Sequence, residues 1–130
     1  MPTIESYVAP TVFDPPSYAQ GVAVTGADKI LFLSGQVAYD ANGGVLHPGD
    51  LKAQAREAFR TLQALVEAQG GSLKNIVKLN TYLTDINDRP ALAEVRAEFF
   101  SGKGPASTLV GVSSLALPGW VIEIEAIAAI

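Results

Sequence analysis

A one-sided helix followed directly by a one-sided strand limits what this chain can fold into more than any other feature. Asp50 begins a stretch with helical spacing of apolar residues, and Gly70 and Gly71 end it. The apolar or small residues of this stripe are Leu51, Ala55, Ala58, Phe59, Leu62, Leu65 and Val66. Residues 75–83, NIVKLNTYL, then alternate between an apolar face with Val77, Leu79, Thr81 and Leu83 and a polar face with Lys78, Asn80 and Tyr82. Because each element must bury its apolar side, the pair predicts a helical layer packed on a sheet.

A second helix and four more strands are predicted around this pair. Asp88 and Pro90 open the helix, and Gly102 follows its end. Its apolar face consists of Leu92, Val95 and Phe99. The strands are VAV at 22–24, KILFLSGQVAYD at 29–40 with a turn at Gly35, STLVGVS at 107–113 and VIEIEAIAAI at 121–130. We expect the first two to form a hairpin across TGAD and the last two to be joined across Pro118-Gly119. The order ββαβαββ predicts an α+β fold, a sheet with two helices packed on one face.

The length favours a single domain. A chain of 130 residues can bury its own core, so residues 1–130 are read as one domain in which residues 1–14 form an extended lead-in. The N-terminus lacks the basic and apolar regions of a signal peptide, and no apolar run is long enough to cross a membrane. We therefore expect a cytoplasmic protein that does not contact a membrane.

Charge is scarce, and this scarcity points to a partner. Only 17% of residues are charged, against about 25% in average soluble domains. The sheet face opposite the helices needs a cover, and a second copy of the chain would supply it, so we expect a homo-oligomer. The net charge is −4 and the basic residues are scattered singly, so nucleic acid is not expected as a partner.

Several kinds of site are missing. The chain has no cysteine, and His47, its one histidine, is expected to be a solvated loop residue, so no metal site is predicted. The segment SGKGPAS, residues 101–107, does not match a phosphate loop, because Ala97 before it stands where the loop needs glycine and Gly104 stands where it needs a hydroxyl residue. No cofactor is implied.

Two polar patterns have both a structural and a functional interpretation. Glu123 and Glu125 lie two apart on a strand and share a face, either as solvated or paired glutamates or with Glu123 as a general acid–base group at a subunit cleft. Ser34 and Gly35 are typical of a turn at the end of a strand, and also of a place where a ligand approaches the backbone closely.

The uncharged segment GPAST, residues 104–108, also has two interpretations. Pro105 fixes the entry to a strand, and the hydroxyls of Ser107 and Thr108 could hydrogen-bond a small ligand without neutralising an anion. A plain turn would have the same composition.

The same segments, in the same order, resemble the RidA (YjgF, endoribonuclease L-PSP-like) family. The resemblance is carried by LFLSGQV, EAQGGSLKNIVKLNTYLTDIND, FF, PAST and IEIEAIA, and it extends over residues 15–129. It implies the chorismate-mutase-like fold, a homotrimer and three ligand clefts at the subunit interfaces. It also implies a small-molecule metabolite as ligand, because well-studied members hydrolyse reactive enamines and imines to ketoacids and ammonia.

The resemblance assigns roles residue by residue. Tyr18 matches the family's cleft tyrosine, and Ser34 and Gly35 match its cleft turn. Leu109 matches the residue whose carbonyl helps to place water, and Glu123 matches the water-orienting glutamate. The implied catalytic residues are thus Tyr18 and Glu123, and the implied binding residues are Ser34, Gly35, Ser107, Thr108 and Leu109.

The family's best-known residue is absent. Members of the deaminase branch hold the substrate carboxylate with an arginine in a Pro-Ala-Arg-Ser turn, and Ser107 stands there in this chain. The asparagine expected on the second helix is Ala93, and a tyrosine one turn later is Arg96. The chain thus resembles the branch without that arginine, and weak turnover of amino-acid-derived imines is expected, unless Arg96 reaches into the cleft as a substitute cation.

Two classes of function stay open on the sequence. The chain is either a hydrolase of an enamine or imine C–N bond, or a non-catalytic trimer that binds or senses a metabolite. The family is also often labelled endoribonuclease, but the acidic balance and the lack of a basic patch argue against RNA as substrate.

Overall fold

Two helices cover one face of a four-stranded sheet in the computed structural model, which describes all 130 residues. The elements in chain order are β1 (Thr3–Tyr7), β2 (Gly21–Thr25), β3 (Ile30–Gln36), α1 (Leu51–Glu67), β4 (Ile76–Leu83), α2 (Arg89–Phe99), β5 (Ala106–Gly111) and β6 (Ile122–Ala129). Short 3-10 turns at Leu73–Asn75 and Ile86–Asp88 precede β4 and α2. The predicted α+β class is confirmed, and no helix is long and apolar enough to cross a membrane.

The main sheet has the order β3-β6-β4-β5. The pairs of β6 with β3 and with β4 are antiparallel, whereas β4 and β5 run parallel. A parallel pair requires a crossover connection, and α2 provides it between β4 and β5. The crossover leaves β5 at one edge of the sheet.

The core lies between the sheet and the helices, as the sequence predicts. The apolar stripe of α1 is buried, with one exception. Leu65 is 39% exposed, so its assignment to the buried stripe is wrong. Phe59 is 1% exposed, and its ring contacts the rings of Phe99 and Phe100 at centroid distances of 5.1 and 5.8 Å. Asp50 caps the helix by accepting a hydrogen bond from the Ala53 amide at 3.1 Å.

Gln54 is a buried polar residue within this core that the apolar pattern did not predict. Its Nε2 donates to the carbonyls of His47 and Gly119 at 2.9 and 2.8 Å, and its Oε1 accepts from the Val121 amide at 2.9 Å. A fully buried amide is stable only with such partners. Gln54 therefore fastens the loop before α1 to the start of β6.

The predicted hairpin between β2 and β3 is wrong. Strand β2 pairs antiparallel with β1, which lies inside the segment predicted only as an extended lead-in, and the two form a separate two-stranded sheet. The chain after Gly26 turns toward the C-terminus instead, because the amides of Asp28 and Lys29 donate to the Ile130 carbonyl at 2.7 and 2.9 Å. These bonds extend the pairing of β3 with β6 and leave β2 free for β1.

The outer face of the main sheet, which is the face away from the helices, carries large apolar side chains that are exposed to solvent. Phe32 is 78% exposed, Ile30 49% and Val110 41%. Along β6 the opposite face, toward the helices, is buried, with Ile122 and Ile124 both fully buried. The expected alternation of β6 is thus confirmed.

Candidate functional site

A cleft of about 800 Å³ opens between α2, the edge strand β5 and the segment that precedes β2. Three residues singled out by the sequence analysis line it, namely Tyr18, Ser107 and Leu109. The wall formed by α2 includes Ala93 and Arg96. The cleft therefore contains all three positions at which the sequence departs from the family pattern. Two of them lie on the helix and one lies on the strand.

Backbone pairing holds the Tyr18 segment at this cleft. The Ala19 amide donates to the Pro105 carbonyl at 3.3 Å, and Ala19 and Ala106 form an isolated parallel bridge. Lys103 adds an ion pair with Asp14. The segment from Asp14 to Ala19 is thereby fixed beside the start of β5.

Strand alternation decides which residues of β5 reach the cleft. Ser107 and Leu109 pair in register with Leu79 and Thr81, which are both buried on the helical side of β4. Thr108 points the other way, and its hydroxyl accepts a hydrogen bond from Lys78 Nζ at 2.8 Å on the outer face. The expectation that both hydroxyls serve one binding site is therefore not met within one chain.

Glu123 lies on the outer face of the sheet, against Gly35. A Cβ atom on Gly35 would overlap the Glu123 carboxylate, so the glycine makes room for this side chain. Gly35 sits where the pairing of β3 with β6 shifts register between Leu33 and Gln36, so the predicted turn is a bulge within the strand. The exposed Ser34 lies in the same bulge.

Glu125 lies on the same face but is already engaged. Its Oε1 accepts hydrogen bonds from the Tyr82 hydroxyl and from Asn80 Nδ2, the latter at 3.4 Å. The bond to the Glu125 carboxylate raises the pKa of Tyr82, because it stabilises the protonated phenol. Glu123 has no such partner in its own chain, so the two glutamates predicted to share a face differ in availability.

Arg96 lies half-buried in the last turn of α2. Its Nη2 is the one buried side-chain polar atom without a hydrogen-bond partner. A Cβ on Gly104 would come within 3.2 Å of this atom, so the guanidinium lies against the turn that leads into β5. Burial lowers the pKa of Arg96, since it disfavours the charged form.

The cleft has cationic groups and no acidic ones among its lining residues. Arg89 and Arg96 contribute the charges, although the chain as a whole has a net charge of −4. The glutamates of α2 face α1, where Glu94 pairs with Lys52 and Glu98 with Arg56. The field inside the cleft therefore favours an anion.

The predicted site residues form two separate groups in one chain. Tyr18, Ser107 and Leu109 lie in the cleft on the helical side. Ser34, Gly35, Thr108 and Glu123 belong to the outer face of the sheet. One chain alone does not bring the seven residues together.

Arg89 is a cleft residue that the sequence analysis did not single out. The signal was present in the helical period, since Arg89, Ala93 and Arg96 are spaced four and three residues apart and so share a face of α2. His47, the residue set aside as a loop histidine, is indeed exposed in a loop and has a positive φ of 50°.

Comparison of the sequence with known proteins identifies one family. The sequence model of the family described as Endoribonuclease L-PSP matches residues 13–130. Two curated relatives are 3-aminoacrylate deaminase RutC of Acinetobacter baylyi, 39% identical over 88% of this chain and 90% of the relative, and 2-iminobutanoate/2-iminopropanoate deaminase of Dermatophagoides farinae, 35% identical over 98% and 94%.

A solved structure shares the whole fold. YyfB of Yersinia pestis, described as a protein of unknown function in the Rid family, superposes with a TM-score of 0.84 and covers 98% of both chains at 27% identity. The family match spans β2 to β6 and the segment that carries Tyr18, which includes every residue of both groups. On its sequence and on its fold, this chain belongs to the RidA family.

Proposed function

We propose that three copies of this chain assemble around the outer faces of their sheets, and that each interface joins the two groups of site residues into one cleft. The exposure of Phe32 and Ile30 on β3 and of Val110 on β5 supports this assembly. Apolar side chains concentrated on one face are typical of a surface that another subunit covers. The low charged fraction of 17% fits the same arrangement.

Each cleft hydrolyses the C–N bond of a small enamine or imine. An enamine first gains a proton on carbon and loses one from nitrogen, which gives the imine. Water adds to the carbon of the C=N group while one of its protons passes to Glu123, and Glu123 returns that proton to the nitrogen, which gives a carbinolamine. The hydroxyl proton of the carbinolamine then passes through Glu123 to the nitrogen as the C–N bond breaks and ammonia leaves. Imine and water thus give a carbonyl compound and ammonia. The Leu109 carbonyl helps to place the water, and the hydroxyls of Tyr18 and Ser107 hydrogen-bond the substrate.

The observation that carries this proposal is the difference between the two glutamates of β6. In Glu125, Oε1 accepts bonds from Tyr82 and Asn80, so these neighbours in its own chain hold the carboxylate in place. Glu123 stands beside the bare backbone of Gly35, free to hold a water molecule. The relatives add a reaction class, since the name of one specifies an enamine acid and the name of the other specifies imine acids as substrates.

Glu123→Gln tests the mechanism, with Glu125→Gln as its matched control. The amide cannot take a proton from water, so hydrolysis of 2-iminobutanoate, generated in place by an amino-acid oxidase, is expected to fall by about 100-fold or more. Glu125→Gln keeps an acceptor for Tyr82 and is expected to retain most of the activity. Light scattering is expected to give about three times 13.6 kDa for all three proteins.

Three results would contradict the proposal in whole or in part. A monomer at micromolar concentration would leave the two groups of residues apart. Equal, mild effects of the two substitutions would mean that Glu123 is an ordinary surface glutamate. Ligand binding without turnover of any imine would instead favour the metabolite-binding trimer.

A further inference from the structure

Arg96 carries a polar atom that nothing in the chain satisfies. Its Nη2 is buried and makes no hydrogen bond, and it is the one such side-chain atom in the protein. A buried cationic donor without a partner destabilises a fold, so its retention calls for an explanation. The chain itself therefore supplies no hydrogen-bond acceptor for Arg96 Nη2.

No carboxylate of the same chain is available to fill that role. Glu94 and Glu98 are the acidic residues of α2, and both are paired with α1 on the opposite side of the helix. Asp14, the acidic residue of the lead-in nearest to Tyr18 in sequence, is paired with Lys103. Burial alone accounts for the lowered pKa of Arg96, with no contribution from a neighbouring acid.

The cleft that Arg96 shares with Ser107 points to a ligand. The guanidinium rests against Gly104, three residues before Ser107, and both residues 96 and 107 line the same cleft of about 800 Å³. Ala93, one turn earlier on α2, is exposed and presents only a methyl group to this space. The cleft thus offers a planar cation, a hydroxyl and open volume in one place, which suits a carboxylate.

We infer that Arg96 is the residue that holds the carboxylate of the cleft ligand. Because Nη2 is covered in the unliganded chain, the Arg96 side chain shifts to present it to the ligand. The guanidinium then forms charge-assisted hydrogen bonds to the carboxylate oxygens, and the Ser107 hydroxyl adds a further donor. The cation thus comes from α2. In the family pattern it comes from β5, at the position that Ser107 occupies in this chain. This assignment rests on the proposed function for the identity of the substrate, a 2-imino or 3-amino acid, but the anion site itself does not require turnover.

The test compares a charged and an uncharged substrate in matched variants. Arg96→Met removes the charge and keeps the length of the side chain, Arg96→Lys keeps the charge, and Arg60→Met removes a surface arginine of α1 outside the cleft. Each protein is assayed with 2-iminobutanoate, made by an amino-acid oxidase, and with a carboxylate-free imine, made from butylamine by an amine oxidase. Calorimetry measures binding of 2-oxobutanoate, which needs no reaction.

If Arg96 holds the carboxylate, Arg96→Met lowers kcat/KM for 2-iminobutanoate by about 30-fold or more and weakens 2-oxobutanoate binding by a similar factor. Turnover of the uncharged imine changes by less than about threefold, because it makes no use of the cation. Arg96→Lys keeps the charge, so both kcat/KM and 2-oxobutanoate binding fall less than in Arg96→Met. Arg60→Met matches the unaltered protein.

Other results separate failure of this assignment from failure of the proposed function. If Arg96→Met leaves 2-iminobutanoate turnover and 2-oxobutanoate binding unchanged while Glu123→Gln abolishes turnover, the hydrolase stands and Arg96 is not its anion site. If no imine is turned over but 2-oxobutanoate binds in an Arg96-dependent way, the anion site stands and the hydrolase does not. Absence of 2-oxobutanoate binding at millimolar concentration, or dissociation of the assembly in both Arg96→Met and Arg96→Lys, overturns the assignment.

Discussion

Helix α2 separates two regions that differ in how their charged side chains are paired. On one side lies the seam with α1, defined by Lys52, Arg56, Glu94 and Glu98, where every charge has a partner. The Arg56 guanidinium donates to both oxygens of Glu98, at 2.8 to 3.2 Å. On the other side lies the cleft, where Arg96 has no partner at all for its buried Nη2.

The difference separates structural charge from charge kept for a ligand. A pair such as Arg56 and Glu98 is complete in the isolated chain and has little left to offer another molecule. Arg96 is incomplete in the isolated chain, which is a poor arrangement for stability and a good one for binding. The seam should therefore respond to mutation through unfolding, and the cleft through ligand affinity and rate.

The largest effect is expected beneath the seam. Phe59→Ala removes a ring that is 1% exposed and contacts Phe99 and Phe100, so the free energy of unfolding should fall by about 3 to 5 kcal/mol. Denaturant titration measures this loss. Turnover per folded molecule should change little, and a selective loss of turnover with unchanged stability would contradict the division between the two regions.

A gain of function in the cleft comes next. In the Arg96→Met protein, Ser107→Arg restores a guanidinium to the same cleft from the strand side, so turnover of 2-iminobutanoate should rise by about tenfold or more over Arg96→Met alone. Turnover of the uncharged imine is the internal control. A double variant no better than Arg96→Met would mean that position 107 does not face the substrate.

Removing one arginine from each region should shift the melting temperature in opposite directions. Arg96→Met relieves an unsatisfied buried donor, so Tm in the absence of ligand should rise by roughly 2 to 4 °C. Arg56→Met leaves Glu98 without its partner, and Tm should fall slightly. A fall in both variants would show that Arg96 supports the fold after all.

The smallest expected effect concerns pH. The hydrogen bond from Arg56 lowers the pKa of Glu98, so the pair stabilises the fold above the ordinary glutamate pKa of about 4.3, and this contribution is lost as pH falls through the lower pKa of the folded state. The Tm difference between the unaltered protein and Arg56→Met should therefore shrink at low pH. The difference produced by Arg96→Met should not follow this trend.

Local patterns predicted the elements well and their long-range partners less well. The helical period and the Asp50 cap located α1, and alternation located β4 and β6. The partner of β2 depended on the bonds of Asp28 and Lys29 to Ile130, about a hundred residues away in the chain, which no local pattern encodes. The burial of Gln54 likewise depends on Gly119 and Val121.

The site shows the same limit, together with one separation within the chain that the sequence could have predicted. The alternation that put Glu123 and Glu125 on one face also puts Ser107 and Thr108 on opposite faces, so the separation of the two hydroxyls was predictable. The burial of Arg96 was not, because it comes from Gly104 on the far side of the loop after α2. The helical period placed Arg96 beside Ala93 but could not say what lay above them.

Gly35 has a consequence for how variation in this chain would be interpreted. The space that any Cβ at position 35 would need is filled by the Glu123 carboxylate, so every substitution there moves or displaces that side chain. A random-mutagenesis screen that reports on Glu123 is therefore expected to return position 35 as well as position 123, although glycine performs no chemistry. In a sequence lineage, a side chain at position 35 should appear only where position 123 has lost the glutamate or has moved it, whereas glycine at position 35 is compatible with any residue at position 123.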